Sequence, residues 1–263
     1  MNNIEDTKLP SEIIDAHEES VRLARLKGES RDMETAVELM KKAAEGGHSD
    51  AQCNLGYLYL TGDTAIAQDP EEGVRWLKTA AERGNLQAQY NLGQVYGGGL
   101  GVEADAAVAL AYLTKAANAG HPDALYDMGV YHYNGIGGVE KDEKAAFIFF
   151  ENAASTGHGE ACFSMGLCLS LGQGTEKDEN RAVACYKKAA EAGNANGMFN
   201  LGLYAFYGQG GFEKDLDYAE ELFKKAAELG HEKAAHAAAS IPEERKKMDG
   251  GKEGSDPFAD VEL

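Results

Sequence analysis

The chain has 263 residues, with 25 Lys and Arg against 44 Asp and Glu, a formal net charge of −19. That balance argues against a nucleic-acid partner, because phosphate recognition needs a basic face. The longest uncharged runs are broken by Asn, Gln and Gly, so no stretch inserts into a membrane.

In chain order, residues 1–10 read as a disordered lead without the basic-then-apolar order of a secretory signal. From Ser11 an amphipathic helix is expected, with Ile13, Ile14, His17, Val21 and Ala24 on one face; it reads as an N-terminal cap over about 11–28. Asp32 then opens a helix that ends at Ala43-Ala44 and Gly47. The double alanine recurs at 80–81, 116–117, 153–154, 189–190 and 226–227, each time followed by a glycine. Those glycines, Gly47 to Gly230, are 37, 36, 37, 36 and 37 residues apart. A fixed period of this length means stacked supersecondary units.

Each unit reads as two helices. Helix A begins after the repeat glycine, at His48, Asn85, His121, His158 or Asn194, and carries Leu-Gly or Met-Gly nine residues past that glycine. A turn glycine and then an Asp follow: Asp69, Asp105, Asp142, Asp178 and Asp215. Asp suits a helix N-cap because its carboxylate accepts the orphan amide hydrogens. Helix B runs from there to the next double alanine. Only the turn between the helices varies in length, where an extra residue does not rotate a packed face. A glycine inside a helix costs about 0.8–1 kcal/mol against alanine. Its recurrence therefore predicts close helix–helix approach, with the double alanines as the complementary small surface. The last helix A, from His231, has Ala238-Ala239 in place of Leu-Gly and is expected to stop at Pro242 as a C-terminal cap near 231–240. Residues 241–263 read as a disordered acidic tail.

The pattern Ala-x3-Leu-Gly-x2-Tyr-x2-Gly, then Asp, then Ala-Ala-x2-Gly, resembles the Sel-one-like repeats, relatives of the tetratricopeptide repeats. Ala88-Gln89-Tyr90-Asn91-Leu92-Gly93 with Tyr96 and Gly99 is close to a consensus copy. The resemblance covers about residues 32–240. It implies an all-α, right-handed α-solenoid of about six helix-turn-helix repeats over residues 11–240, acting as a non-catalytic adaptor. By the same resemblance helices A line a concave groove. The aromatic residues this places there are Tyr57, Tyr90, Tyr126, Tyr133, Phe163, Phe199, Phe206 and Tyr207. Packing between repeats is the competing role for Tyr90, Tyr126, Phe163 and Phe199. The five full A helices contain no Lys or Arg, while Asp50, Asp123, Asp127 and Glu160 lie nearby. The expected ligand is an apolar or basic protein segment.

No catalytic residue, cofactor or metal is called for. His48, His121, His158 and His231 interchange with Asn at helix starts, which suggests capping. Cys53, Cys162, Cys168 and Cys185 fall at unmatched repeat positions, as free thiols of a cytoplasmic protein do. Two alternatives remain. Cysteine-rich relatives suggest a hydrolase of the β-lactam or penicillin-binding type, although this chain lacks their paired cysteines. Asp256-Pro257-Phe258 resembles peptides recognised by clathrin-adaptor ears and suggests a tail-directed trafficking adaptor.

Overall fold

The computed structural model describes residues 9–25 and 32–250. The expected lead before residue 9, the end of the first cap beyond Arg25, and the Asp256-Pro257-Phe258 motif lie outside the described residues. Among those described there are thirteen helices and no strand. They run α1 (Ser11–Arg25), α2 (Met33–Glu45), α3 (Ser49–Thr61), α4 (Pro70–Glu82), α5 (Leu86–Gly98), α6 (Ala106–Asn118) and α7 (Pro122–Asn134). Then come α8 (Glu143–Ser155), α9 (Gly159–Leu171), α10 (Glu179–Glu191), α11 (Ala195–Tyr207), α12 (Leu216–Glu228) and α13 (Ala234–Gly250). The chain is an all-α repeat solenoid made of two compact units, residues 1–124 and 125–263. In each unit neighbouring helices pack in sequence, A against B and B against the next A.

Local chemistry sets the boundaries. Asp69 accepts from the Glu72 amide at 3.1 Å, and Asp105, Asp142, Asp178 and Asp215 cap their B helices in the same way. The same aspartates are tethered through their own amides to a carbonyl of helix A. Asp69 N–H donates to Tyr59 O at 2.8 Å, Asp142 to His132 O at 2.8 Å and Asp215 to Ala205 O at 2.9 Å. The tether uses backbone only, which is why Tyr, His and Ala can all stand at that position.

The mid-helix glycines do permit close approach, but their partner differs from the expected alanines. A Cβ on Gly56 would lie 2.9 Å from Leu77, on Gly93 2.7 Å from Leu113, and on Gly129 2.5 Å from the Phe150 ring. On Gly166 and Gly202 it would lie 2.6 Å from Tyr186 and Phe223. A large side chain of helix B therefore occupies the missing methyl's place. The double alanines serve the other joint. Ala189 approaches Gly197 at the start of the following helix A, and Ala80 shares a buried cluster with Ala88.

The C-terminal cap extends further than expected. Helix α13 continues through Pro242 to Gly250, so neither the stop at Pro242 nor the start of a disordered tail at 241 holds. Interior proline removes one hydrogen bond, but the Pro242 ring is exposed and its neighbour Ile241 is fully buried. Beyond it, Glu244 pairs with Lys214 at 2.9 Å, and Arg245 pairs with Glu220 at 2.9 Å and with Asp217. These contacts hold the second half of the helix against α12 and the turn before it.

Candidate functional site

In the first unit the A-helix side opens a cleft of about 550 Å³. Helices α3 and α5 contribute Cys53, Asn54, Tyr57, Gln87 and Asn91, while α1 and α2 contribute Val21, Ala24, Met33 and Val37. Tyr57 is 55 % exposed and is the large aromatic presented to this space. Arg25 and Asp63 are the charged residues of the lining. Sequence reasoning found Tyr57 and missed the walls from α1 and α2. The amphipathic spacing of Val21 and Ala24 carried that signal.

The remaining aromatic residues divide by burial. Tyr90 stacks on His121, with ring centroids 4.8 Å apart and planes 13° apart. Tyr126 stacks in the same way on His158 at 4.9 Å, and Phe199 on His231 at 4.1 Å. These residues join one repeat to the first residues of the next. Phe163 lies 6.0 Å from the Tyr186 ring. Tyr133 donates its hydroxyl to Gln173 Oε1 at 2.8 Å. Tyr207 meets Phe206 edge-on at 5.0 Å. Tyr90, Tyr126, Tyr133, Phe163 and Tyr207 keep part of their surface exposed. Phe199 and Phe206, at 3 % and 2 % exposure, do not line a groove as expected. They pack with Phe223 and Ile241 in the core that α13 closes.

The histidines at helix starts accept backbone hydrogen bonds. The amides of Ala51, Ala124 and Ala161 donate to Nδ1 of His48, His121 and His158 at 3.4, 3.4 and 3.1 Å. Asn85 and Asn194 do the same work through Oδ1 at 2.9 and 2.7 Å. His231 departs from the pattern, because α13 begins three residues later, at Ala234. An accepting Nδ1 requires a neutral ring, and burial holds His121 below the usual histidine range.

The four cysteines are buried and unpaired. Burial pushes the Cys53 thiol up to about 12 and those of Cys168 and Cys185 up to about 11. None of these three is a thiolate near neutral pH, the form a cysteine nucleophile needs.

The Sel1 repeat matches residues 21–48, 49–85, 86–121, 122–158, 159–194 and 195–231. The chain belongs to the Sel1 repeat family. Proteins of this family generally act in protein–protein interaction, as non-catalytic scaffolds. The chain is similar to the protective antigen c5321 of uropathogenic Escherichia coli, which displays an SLR fold, with 28 % identity and a TM-score of 0.77. The match covers 94 % of this chain and 51 % of that one, so this chain spans about half its length. A Sel1 repeat protein from Oxalobacter formigenes is 30 % identical at a TM-score of 0.70, over 81 % of this chain and 84 % of that one. The immunity protein Pa5087 of Pseudomonas aeruginosa shares the fold at 23 % identity and a TM-score of 0.55, over 87 % of each chain. No curated protein matches the sequence. Among the described residues no helix is long and apolar enough to cross a membrane.

Proposed function

We propose that this Sel1 repeat chain is a non-catalytic adaptor that seats an apolar or basic segment of a partner protein in the cleft of its first unit. The observation that carries the reading is the cleft itself, with Tyr57 exposed on a face whose A helices bring no Lys or Arg. An exposed aromatic beside the amides of Asn54, Gln87 and Asn91 combines an anchor with hydrogen-bonding groups for a peptide backbone. Tyr126, Tyr133, Phe163 and Tyr207 form a lesser surface on the second unit, since each is partly covered by its neighbours. Four buried thiols without a disulfide support a cytoplasmic setting.

Selection of peptides from a random display library tests this. The expected winners are apolar or basic, and Tyr57→Ala weakens them at least about tenfold, the scale of one anchoring aromatic. Enrichment of acidic peptides, or binding untouched by Tyr57→Ala, overturns the reading.

A further inference from the structure

One cluster of metal-ligating side chains stands out among the described residues: His17 on α1, with His48 and Asp50 at the start of α3. One nitrogen from each imidazole and one carboxylate oxygen lie within 4.8 Å of one another. We propose that these three side chains bind one divalent first-row transition ion, zinc by chemical preference, with water completing its coordination.

The donor set fits that class of ion, since two imidazoles and a carboxylate suit zinc and its neighbours better than calcium or magnesium. Tetrahedral ligation at the usual zinc–nitrogen and zinc–oxygen bond lengths spaces ligand atoms about 3.4 Å apart. The widest separation exceeds that by no more than about 1.4 Å, an adjustment that side-chain torsions supply. Two of the three groups are already oriented. His48 is 7 % exposed and takes the Ala51 amide at Nδ1, so Nε2 is the nitrogen it can give to a metal while keeping its cap. Asp50 receives a hydrogen bond from Asn85 Nδ2 at 2.7 Å, the kind of outer contact that steers a ligating carboxylate. The positive pole of α3 opposes a cation there. The Asp50 carboxylate and a chain charge of −19 oppose that pole.

The later repeats act as internal controls. The place of His17 over a capping histidine is taken by Tyr90 over His121 and by Tyr126 over His158. At His158 a carboxylate oxygen of Glu160 is 3.9 Å from Nδ1, so one imidazole and one acid recur there. The second imidazole does not, because tyrosine fills its place. Among the described residues a chelating set arises only where histidine replaces that ring, and an ion held there would tie α1 to the first A helix.

The test uses the untagged full chain stripped with a chelator, titrated with zinc chloride by calorimetry and with cobalt(II) by visible absorption. The expected result is one equivalent bound, with a ligand-field spectrum and a rise in melting temperature. His17→Tyr preserves the stack on the pattern of Tyr90, and Asp50→Asn preserves the acceptor for Asn85. Each should lower affinity at least about tenfold, in line with loss of metal-site partners, while melting like the parent in chelator. His158→Asn should titrate as the parent does. Failure of the parent chain to take up an equivalent, or uptake that survives in both His17→Tyr and Asp50→Asn, overturns the proposal.

Discussion

In the first unit leucines cover the mid-helix glycines, Leu77 over Gly56 and Leu113 over Gly93; in the second, Phe150, Tyr186 and Phe223 cover Gly129, Gly166 and Gly202. The backbone joint is the same, and the difference is side-chain volume. A ring over the glycine also reaches outward to helix A. Phe150 approaches Tyr126, Tyr186 approaches Phe163 and Tyr204, and Phe223 approaches Phe199. The second unit therefore draws its A-helix aromatics into the core. In the first unit Tyr90 on α5 matches Tyr126, Phe163 and Phe199, but α3 has Cys53 at that place, and a cleft stays open beside it. An aromatic-rich helix face is consequently a poor guide to a binding face.

The sharpest test of the contrast is paired substitution at the glycines. Gly166→Ala should cost about 3 kcal/mol, because the new methyl meets the edge of the Tyr186 ring, whose hydroxyl is hydrogen-bonded to Ser170. Gly93→Ala should cost about 1 kcal/mol, the lower end for overpacking, because the flexible Leu113 side chain can yield. Urea denaturation reads both. Trp76 is the sole tryptophan and lies in the first unit. Gly166→Ala should therefore move the far-ultraviolet dichroism midpoint more than the tryptophan midpoint. Equal costs for the two substitutions would break the comparison.

The capping aspartates should ignore it. Asp105→Ala and Asp178→Ala each remove one N-cap and should each cost about 1 kcal/mol, whichever unit they fall in. A smaller effect is expected for Tyr186→Phe, about 0.5–1 kcal/mol, since Ser170 keeps its bond to Leu167 O.

The smallest expected effect is acid sensitivity. Burial lowers the folded-state value of both His121 and His231 below 6.5, so the unfolded chain takes up those protons more readily. Their contribution is complete above pH 6.5 and is lost as pH falls through the lower folded values. Midpoints measured from pH 7.5 down to about 5 should decline, and His121→Asn, which copies the caps Asn85 and Asn194, should flatten the slope. A slope that His121→Asn leaves unchanged would assign the acid sensitivity elsewhere.

The helical frame was legible because its signals are local and repeated: glycine spacing, Asp caps, and turns that alone absorb length changes. What each glycine faces was not, since small residues in helix B suggested a small-on-small joint and the joint is small-on-large. The length of α13 was hidden by Pro242, whose cost is local, whereas the buried Ile241 and the ion pairs of Glu244 and Arg245 come from residues distant in sequence. Tyr57 was readable as a surface aromatic. Phe199 and Phe206 were not readable as interior, because α13 covers them. His17 carried a signal in its spacing: it precedes His48 by 31 residues, as Tyr90 precedes His121.

The histidines and asparagines at helix starts have one more consequence. Five matched segments end on such a residue that begins the neighbour's helix, at His48, Asn85, His121, His158 and Asn194. Each module thus carries the starter for the next one. Any recombination that duplicates, deletes or transplants a module should cut after that residue on both sides, so that every inherited helix arrives with its first hydrogen bond supplied by the piece upstream.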